Sequence, residues 1–195
     1  LEMYKAMAGS GCYQISLACE TGNQRTMDKL VKKNLRIEAI KPAIENAKNG
    51  GIDVVHTFFI LGYPGESYKD MENTVKFAES CIDDGANSFS IAILNPLPGT
   101  PIYRQVMKEN LWWPDRDESQ MMFRNSLIKT PGFSGPEEFE KYVDEVNQRL
   151  NKKAYYSNPE VHRGRRGLDI GLSGDRHVDD PQEYLPNESE FFHQT

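Results

Sequence analysis

The chain has 195 residues, 38% of them hydrophobic and 27% charged, with a formal net charge of −6 and an isoelectric point near 5.3. This composition suits one globular domain, or one domain plus a tail. Its acidic balance argues against a nucleic-acid surface, despite the local run of Arg163, Arg165 and Arg166. No apolar run approaches the ~20 residues that span a bilayer, and the N-terminus lacks a basic-then-apolar leader. The expected location is the cytoplasm, without membrane or nucleic-acid partners. Cys12, Cys19 and Cys81 form no CxxC or CxxxCxxC pattern, so they read as reduced, largely buried thiols rather than a disulfide or metal set.

In chain order, residues 1–8 have helical spacing and stop at Gly9-Ser10-Gly11, so the chain begins inside a helix. Tyr13, Ile15, Leu17 and Cys19 then alternate with Gln14, Ser16, Ala18 and Glu20, a strand with one bulky face and one small, polar face. A helical piece is predicted over 24–33. A second carries Ile37, Ile40, Ile44 and Ala47, with Pro42 tolerated near its first turn. Residues 54–61 form a β-branched and aromatic run that reads as a buried strand, stopped by Gly62, Pro64 and Gly65. Ser67 and Asp70 resemble a capping box opening a helix whose inner face is Met71, Val75, Ala78 and Ile82. A third strand over 87–94 sets Phe89, Ile91 and Ile93 against Ser88, Ser90 and Ala92, and ends at NPLPGTP, residues 95–101. A short helix over 101–110 follows. Pro136, Glu137 and Glu138 then open an amphipathic helix bearing Phe139, Tyr142, Val143, Val146 and Leu150.

Strands alternating with helices predict an α/β protein built from parallel βαβ units. A doubly wound sheet covered on both faces favours bulky residues on both sides, whereas two of these strands pair a bulky face with Ser, Ala, Gln or Glu. The asymmetry points to a barrel or half barrel with a cavity on its inner side. The site is then expected at the C-terminal strand ends: residues 20–22, 62–66 and 95–100. The expected division is a half barrel over 1–110, a helical extension packing on it over 111–154, and an extended or disordered tail over 155–195.

Glu20, ending the polar strand face, can accept from ligand hydroxyls or an ammonium group, and is equally readable as a solvated carboxylate. Gly62 and Gly65 either allow a ligand close to the backbone or simply form the turn. Glu66 beside that loop disfavours a phosphate, since an anion there meets a carboxylate. Lys33 can pair with a ligand carboxylate or stand in solvent. Ser16, His56, Phe58, Ser90 and Asn95 are candidate cavity-lining residues, although a lone His in a strand is more often a hydrogen-bonded core residue. No Ser-His-Asp or Cys-His arrangement supports hydrolysis, and no catalytic residue is assigned.

Three motifs, SLACETGNQ (16–24), FFILGYPGES (58–67) and NPLPGTPIY (95–103), in order and at matching separations, resemble the fourth, fifth and sixth strand ends of the radical S-adenosylmethionine (SAM) superfamily. The likeness is greatest to members with an N-terminal cobalamin-binding domain, of methyltransferase and anaerobic cyclase type. It implies the later half of a partial (β/α)6 TIM-like barrel, with C-terminal helices and an irregular tail. It also implies SAM contacts from Glu20, Lys33, Ile60, Gly62 and Leu97, Lys33 reaching the methionyl carboxylate. In the family a [4Fe-4S] cluster cleaves SAM to a 5′-deoxyadenosyl radical that abstracts hydrogen from a small-molecule substrate. The resemblance leaves cobalamin use, and the choice between methyl transfer and cyclisation, open.

The sequence departs from the family at the cluster, since it has no CxxxCxxC loop, and Phe58 stands where a glycine is common. Together with the helix-interior start, this leads to the expectation of the C-terminal part of a longer enzyme. Such a part is inactive alone and is partnered by the rest of the barrel, with its cluster loop and a possible cobalamin domain. The alternative is a non-catalytic half-barrel that binds SAM or another nucleoside, or an interaction fragment.

Overall fold

The computed structural model describes residues 1–158. Helix α1 (Glu2–Gly9) leads into β1 (Gln14–Glu20), and a short α2 (Gln24–Thr26) runs into a π turn, Met27–Val31. Then come α3 (Ile40–Asn49), β2 (Val54–Leu61), α4 (Tyr68–Ser80), β3 (Ser88–Ile93), α5 (Pro101–Glu109) and α6 (Pro136–Ser157). The strands form a parallel sheet in the order β1-β2-β3, with helices in both connections, as the alternating pattern predicts.

The predicted helix over 24–33 is only partly formed. After one turn it widens, the Lys32 amide bonding to the Met27 carbonyl at 2.8 Å, and Lys32 then takes a left-handed conformation (φ +57°) that ends it. Pro42 lies in the first turn of α3, where no intrahelical amide bond is lost. The Ser67–Asp70 capping box forms at the start of α4: Ser67 Oγ accepts from the Asp70 amide, and Asp70 Oδ2 accepts from the Ser67 amide. Helix α6 reaches Ser157, so residues 155–157, expected in the tail, are helical. The remainder of the tail expected over 155–195 lies outside the described residues after 158.

The bulky strand faces make the core. Val55, Phe59 and Leu61 of β2 and Phe89, Ile91 and Ile93 of β3 pack with Ile40, Ile44 and Ala47 of α3, Met71, Val75 and Ala78 of α4, and Phe139, Val143, Val146 and Leu150 of α6. A smaller cluster of Tyr63, Leu94, Val106, Leu127 and Ile128 lies under the 62–66 and 94–100 loops.

The outer edge of β3 carries no further strand among the described residues; α6 covers it. Asn151 Oδ1 accepts from the Phe89 amide at 2.9 Å, and its Nδ2 donates to the Phe89 carbonyl at 2.9 Å. Asn147 does the same for Ile91, at 2.7 and 2.8 Å. Two carboxamides thus satisfy the groups that an adjoining strand would otherwise bond. One step further along, the Ile93 amide donates to the Phe123 carbonyl at 3.0 Å. No helix among the described residues is long and apolar enough to cross a membrane.

Candidate functional site

The register between strands stacks their second face into three rows. Ser16, His56 and Ser88 form the lowest, Ala18, Phe58 and Ser90 the middle, and Ile60 and Ala92 the top, beside Glu20. The five candidate lining residues therefore share one side of the sheet or its end: four lie in these rows, and Asn95 lies just past β3. They differ in depth. His56 sits four residues before Ile60, about 13 Å below it at the usual strand rise, and its Nδ1 is 2.9 Å from Ser88 Oγ. Burial pushes its imidazole pKa down, so at neutral pH it is an uncharged, hydrogen-bonded residue of the floor. Phe58, with small neighbours Ala18 and Ser90, occupies the middle row.

Glu20 owes its placement to a bulge. The β1–β2 register slips between Ala18 and Glu20, and Glu20 adopts φ +64°, which a non-glycine residue rarely takes. The slip ends the strand and turns the carboxylate to the rim. Lys33 Nζ lies 3.0 Å from Glu20 Oε1 and 3.0 Å from the Ala18 carbonyl, so in this structure the two candidate SAM residues are paired with each other.

The loop after β2 works differently from the sequence expectation. Glu66 is only 1% exposed and points inward, its Oε2 accepting from the amides of Gly62 (2.8 Å) and Tyr63 (3.1 Å). It therefore lies beneath the loop rather than at its mouth, where the sequence placed it. The loop nevertheless makes no phosphate cradle, because Glu66 has already taken the two amides that would bind one. Burial pushes its pKa up to about 7, against the lowering effect of those two amides, and Oε1 is buried without a partner. Gly62 has φ +90°, and a Cβ there would lie 3.0 Å from the Phe139 ring; its lack of a side chain serves the turn and the packing of α6.

After β3, Asn95 Nδ2 bonds the carbonyls of Ile93 (3.2 Å) and Met122 (2.7 Å), while its Oδ1 is buried and unpartnered. Leu97 is 55% exposed on the same loop. These strand ends thus present a carboxylate paired with a lysine and apolar surface from Ile60 and Leu97, with the unpartnered Asn95 oxygen buried behind them. That set matches the hydroxyls, amino groups and flat face of a nucleoside, and so fits SAM.

The residues do not fit an iron–sulfur cluster. No group of three His, Cys, Asp or Glu side chains able to hold a metal exists among the described residues. Burial, acting against nearby lysines, pushes the Cys19 and Cys81 thiols up to about 12, far from the thiolate form that ligates iron.

Sequence reasoning missed the polar lattice that joins two of the strand ends. Thr21 Oγ1 lies 2.9 Å from Thr74 Oγ1, which also accepts from the Gly22 amide at 3.2 Å. Asp70 Oδ1 accepts from Asn23 Nδ2 at 2.7 Å, and Asp70 Oδ2 accepts from Arg25 at 3.0 Å and from Ser67 Oγ at 2.7 Å. Burial alone raises the Asp70 pKa, but the Ser67 hydroxyl and amide, then Arg25 and Asn23, outweigh it and hold the carboxyl below its usual value. Gly22 permits this approach, since a Cβ there would stand 2.4 Å from Phe77 Cβ. The available signal was the capping-box Asp70, whose second oxygen has capacity beyond the cap.

Residues 1–78 match the family model of the radical SAM superfamily. Among curated proteins, the cytidylyl-2-hydroxyethylphosphonate methyltransferase of Streptomyces wedmorensis is 30% identical over 158 residues, 78% of this chain and 29% of that protein. An uncharacterised methyltransferase of Pyrococcus horikoshii is 31% identical over 107 residues, 55% of this chain and 22% of that protein. A tRNA-2-methylthio-N(6)-dimethylallyladenosine synthase of Ehrlichia canis is 29% identical over 124 residues, 58% of this chain and 27% of that protein. The chain thus spans less than a third of the length of these relatives. Its parallel sheet, its strand-end motifs and the match over 1–78 together make the chain a member of the radical SAM superfamily, whose cofactors are SAM and a [4Fe-4S] cluster.

Proposed function

We propose that this chain supplies the SAM-binding side of a radical SAM barrel, in a protein that uses the radical cleavage of SAM for methyl transfer to a small molecule. The carrying observation is the junction of β1: the bulge that turns Glu20 to the rim, in register with the ends of β2 and β3. Glu20 would take the polar groups of SAM, and Lys33, paired with it, is at hand for the methionyl carboxylate. Ile60, Gly62 and Leu97 would border the adenine, with Ser16, His56, Phe58, Ser90 and Asn95 lining the space below and beside it. Bound SAM supplies the family's radical chemistry; these residues bind it, orient it and keep water from it. The cluster would be held outside these residues, in the remainder of the barrel. Methyl transfer is favoured over cyclisation by two relatives, both named as methyltransferases. Cobalamin as methyl carrier, bound by a further domain, and a cytoplasmic location complete the reading.

Calorimetric titration with SAM tests it. One site is expected, weakened about 10- to 100-fold in Glu20→Ala by loss of a charge-assisted hydrogen bond. A protein that takes up no SAM, or an alanine variant that binds as tightly as the parent, would refute the proposal.

A further inference from the structure

Two of the three strand-end loops, 20–25 after β1 and 62–67 after β2, are separate in sequence and carry different walls of the proposed pocket. Asp70 lies at the third position of α4, in contact with both. One oxygen receives the Asn23 side-chain Nδ2 at 2.7 Å; the other receives the Ser67 backbone amide at 3.0 Å, the Ser67 hydroxyl at 2.7 Å and Arg25 at 3.0 Å. One turn later, Thr74 bonds Thr21 and Gly22, the residues that directly follow Glu20. A helix cap needs only the Ser67 bonds. The bonds to Asn23 and Arg25 add nothing to that cap, and they fix the position of the loop that carries Glu20.

We propose that Asp70 is a positioning residue for SAM: through Asn23 it clamps the Glu20 loop to the 62–67 loop, and so sets the spacing between the two walls of the nucleoside pocket. Glu20 has reason to need such a clamp. It holds a left-handed backbone conformation at a bulge, a state that persists only where its surroundings over-determine it. The clamp is built on α4 rather than on the loops, so its accuracy derives from a helix end fixed against the core. This inference rests on the SAM-binding reading above.

The test exchanges the two partners in the full-length protein with its cofactors in place. Asn23→Asp keeps a side-chain oxygen for the Thr26 amide that caps α2, and sets a carboxylate against Asp70. Its dissociation constant for SAM should rise about tenfold, the size of a coupling between contacting polar groups. Asp70→Asn should weaken binding similarly, and the double exchange, which restores one donor facing one acceptor, should return affinity to within about threefold of the parent. Asn23→Ser keeps the cap without adding charge and is too short to reach Asp70. It should also weaken SAM binding, and it serves if Asn23→Asp does not fold. Asn151→Ala, at the edge of β3 and in neither loop, removes two bonds to Phe89, so it should lower the melting temperature while leaving SAM affinity within about twofold. The inference is overturned if the Asn23 variants bind SAM like the parent, if the exchange restores nothing, or if Asn151→Ala weakens SAM binding as much as they do. A parent protein that binds no SAM overturns the functional reading itself, and this inference with it.

Discussion

Glu66 shows how one buried carboxyl organises a loop and makes it sensitive to pH. Its Oε2 gathers the Gly62 and Tyr63 amides, but its Oε1 has no partner, so the charged form is incompletely compensated. Burial raises its pKa from an ordinary 4.5 to about 7. A folded-state pKa above the unfolded value means that the native protein binds the extra proton between those limits. The corresponding stability is complete below about pH 4.5 and is lost as pH rises to about 7. In Glu66→Gln, which cannot ionise, this dependence should vanish. Relative to the variant, the parent should lose on the order of 3 kcal/mol across that window. Denaturant midpoints of both proteins from pH 4.5 to 7.5 check this, and parallel curves would count against it. From the sequence alone Glu66 could be placed beside the loop, but not turned beneath it. The direction of a side chain at a turn depends on which amides need an acceptor, and that is known only once the turn has folded.

At the scale of elements, the edge of β3 is the clearest case of two structures meeting by matched repeats. Alternate strand residues recur every ~6.7 Å, and helix residues four apart recur every ~6 Å, so Asn147 and Asn151 can bond Ile91 and Phe89 in turn. Replacing either Asn by Ala leaves an amide and a carbonyl of β3 without partners, at a cost of about 1–3 kcal/mol. Hydrogen exchange should speed up selectively at Ile91 in Asn147→Ala and at Phe89 in Asn151→Ala; unchanged protection at both would contradict this account. The amphipathic apolar stripe of α6 was legible in the sequence, and so was Pro136 at its start. The Asn pair, also written there at a spacing of four, carried no meaning until β3 lay beside it. The helix over 24–33 failed for a related reason: the left-handed turn at Lys32 brings Lys33 back to Glu20, and tertiary pairing overrode local helical spacing.

Over the whole molecule, one core joins the sheet to α3, α4 and α6, and Phe139 lies fully buried within it, its ring beside Gly62 and tilted against that of Phe133 with 4.7 Å between centroids. Phe139→Ala should therefore destabilise the protein by about 3–5 kcal/mol. It should also move the unfolding transitions of sheet and helix together, as read by circular dichroism and by Trp112 and Trp113 fluorescence in guanidinium. Loss of α6 alone, with the sheet intact, would show that this helix folds apart from the sheet. The sequence by itself determined the α/β class, the three strands and the helices between them, the small polar face and the three strand-end motifs. Each of these is written in local periodicity or in a turn residue. Only the tertiary structure decided that Glu20 and Lys33 pair, that Glu66 turns inward, that Gly62 serves Phe139, and that Asp70 ties two loops together. Those facts depend on contacts between residues from 3 to 77 positions apart in the chain, and the partner that satisfies a buried polar group is chosen by whichever groups the fold brings within reach.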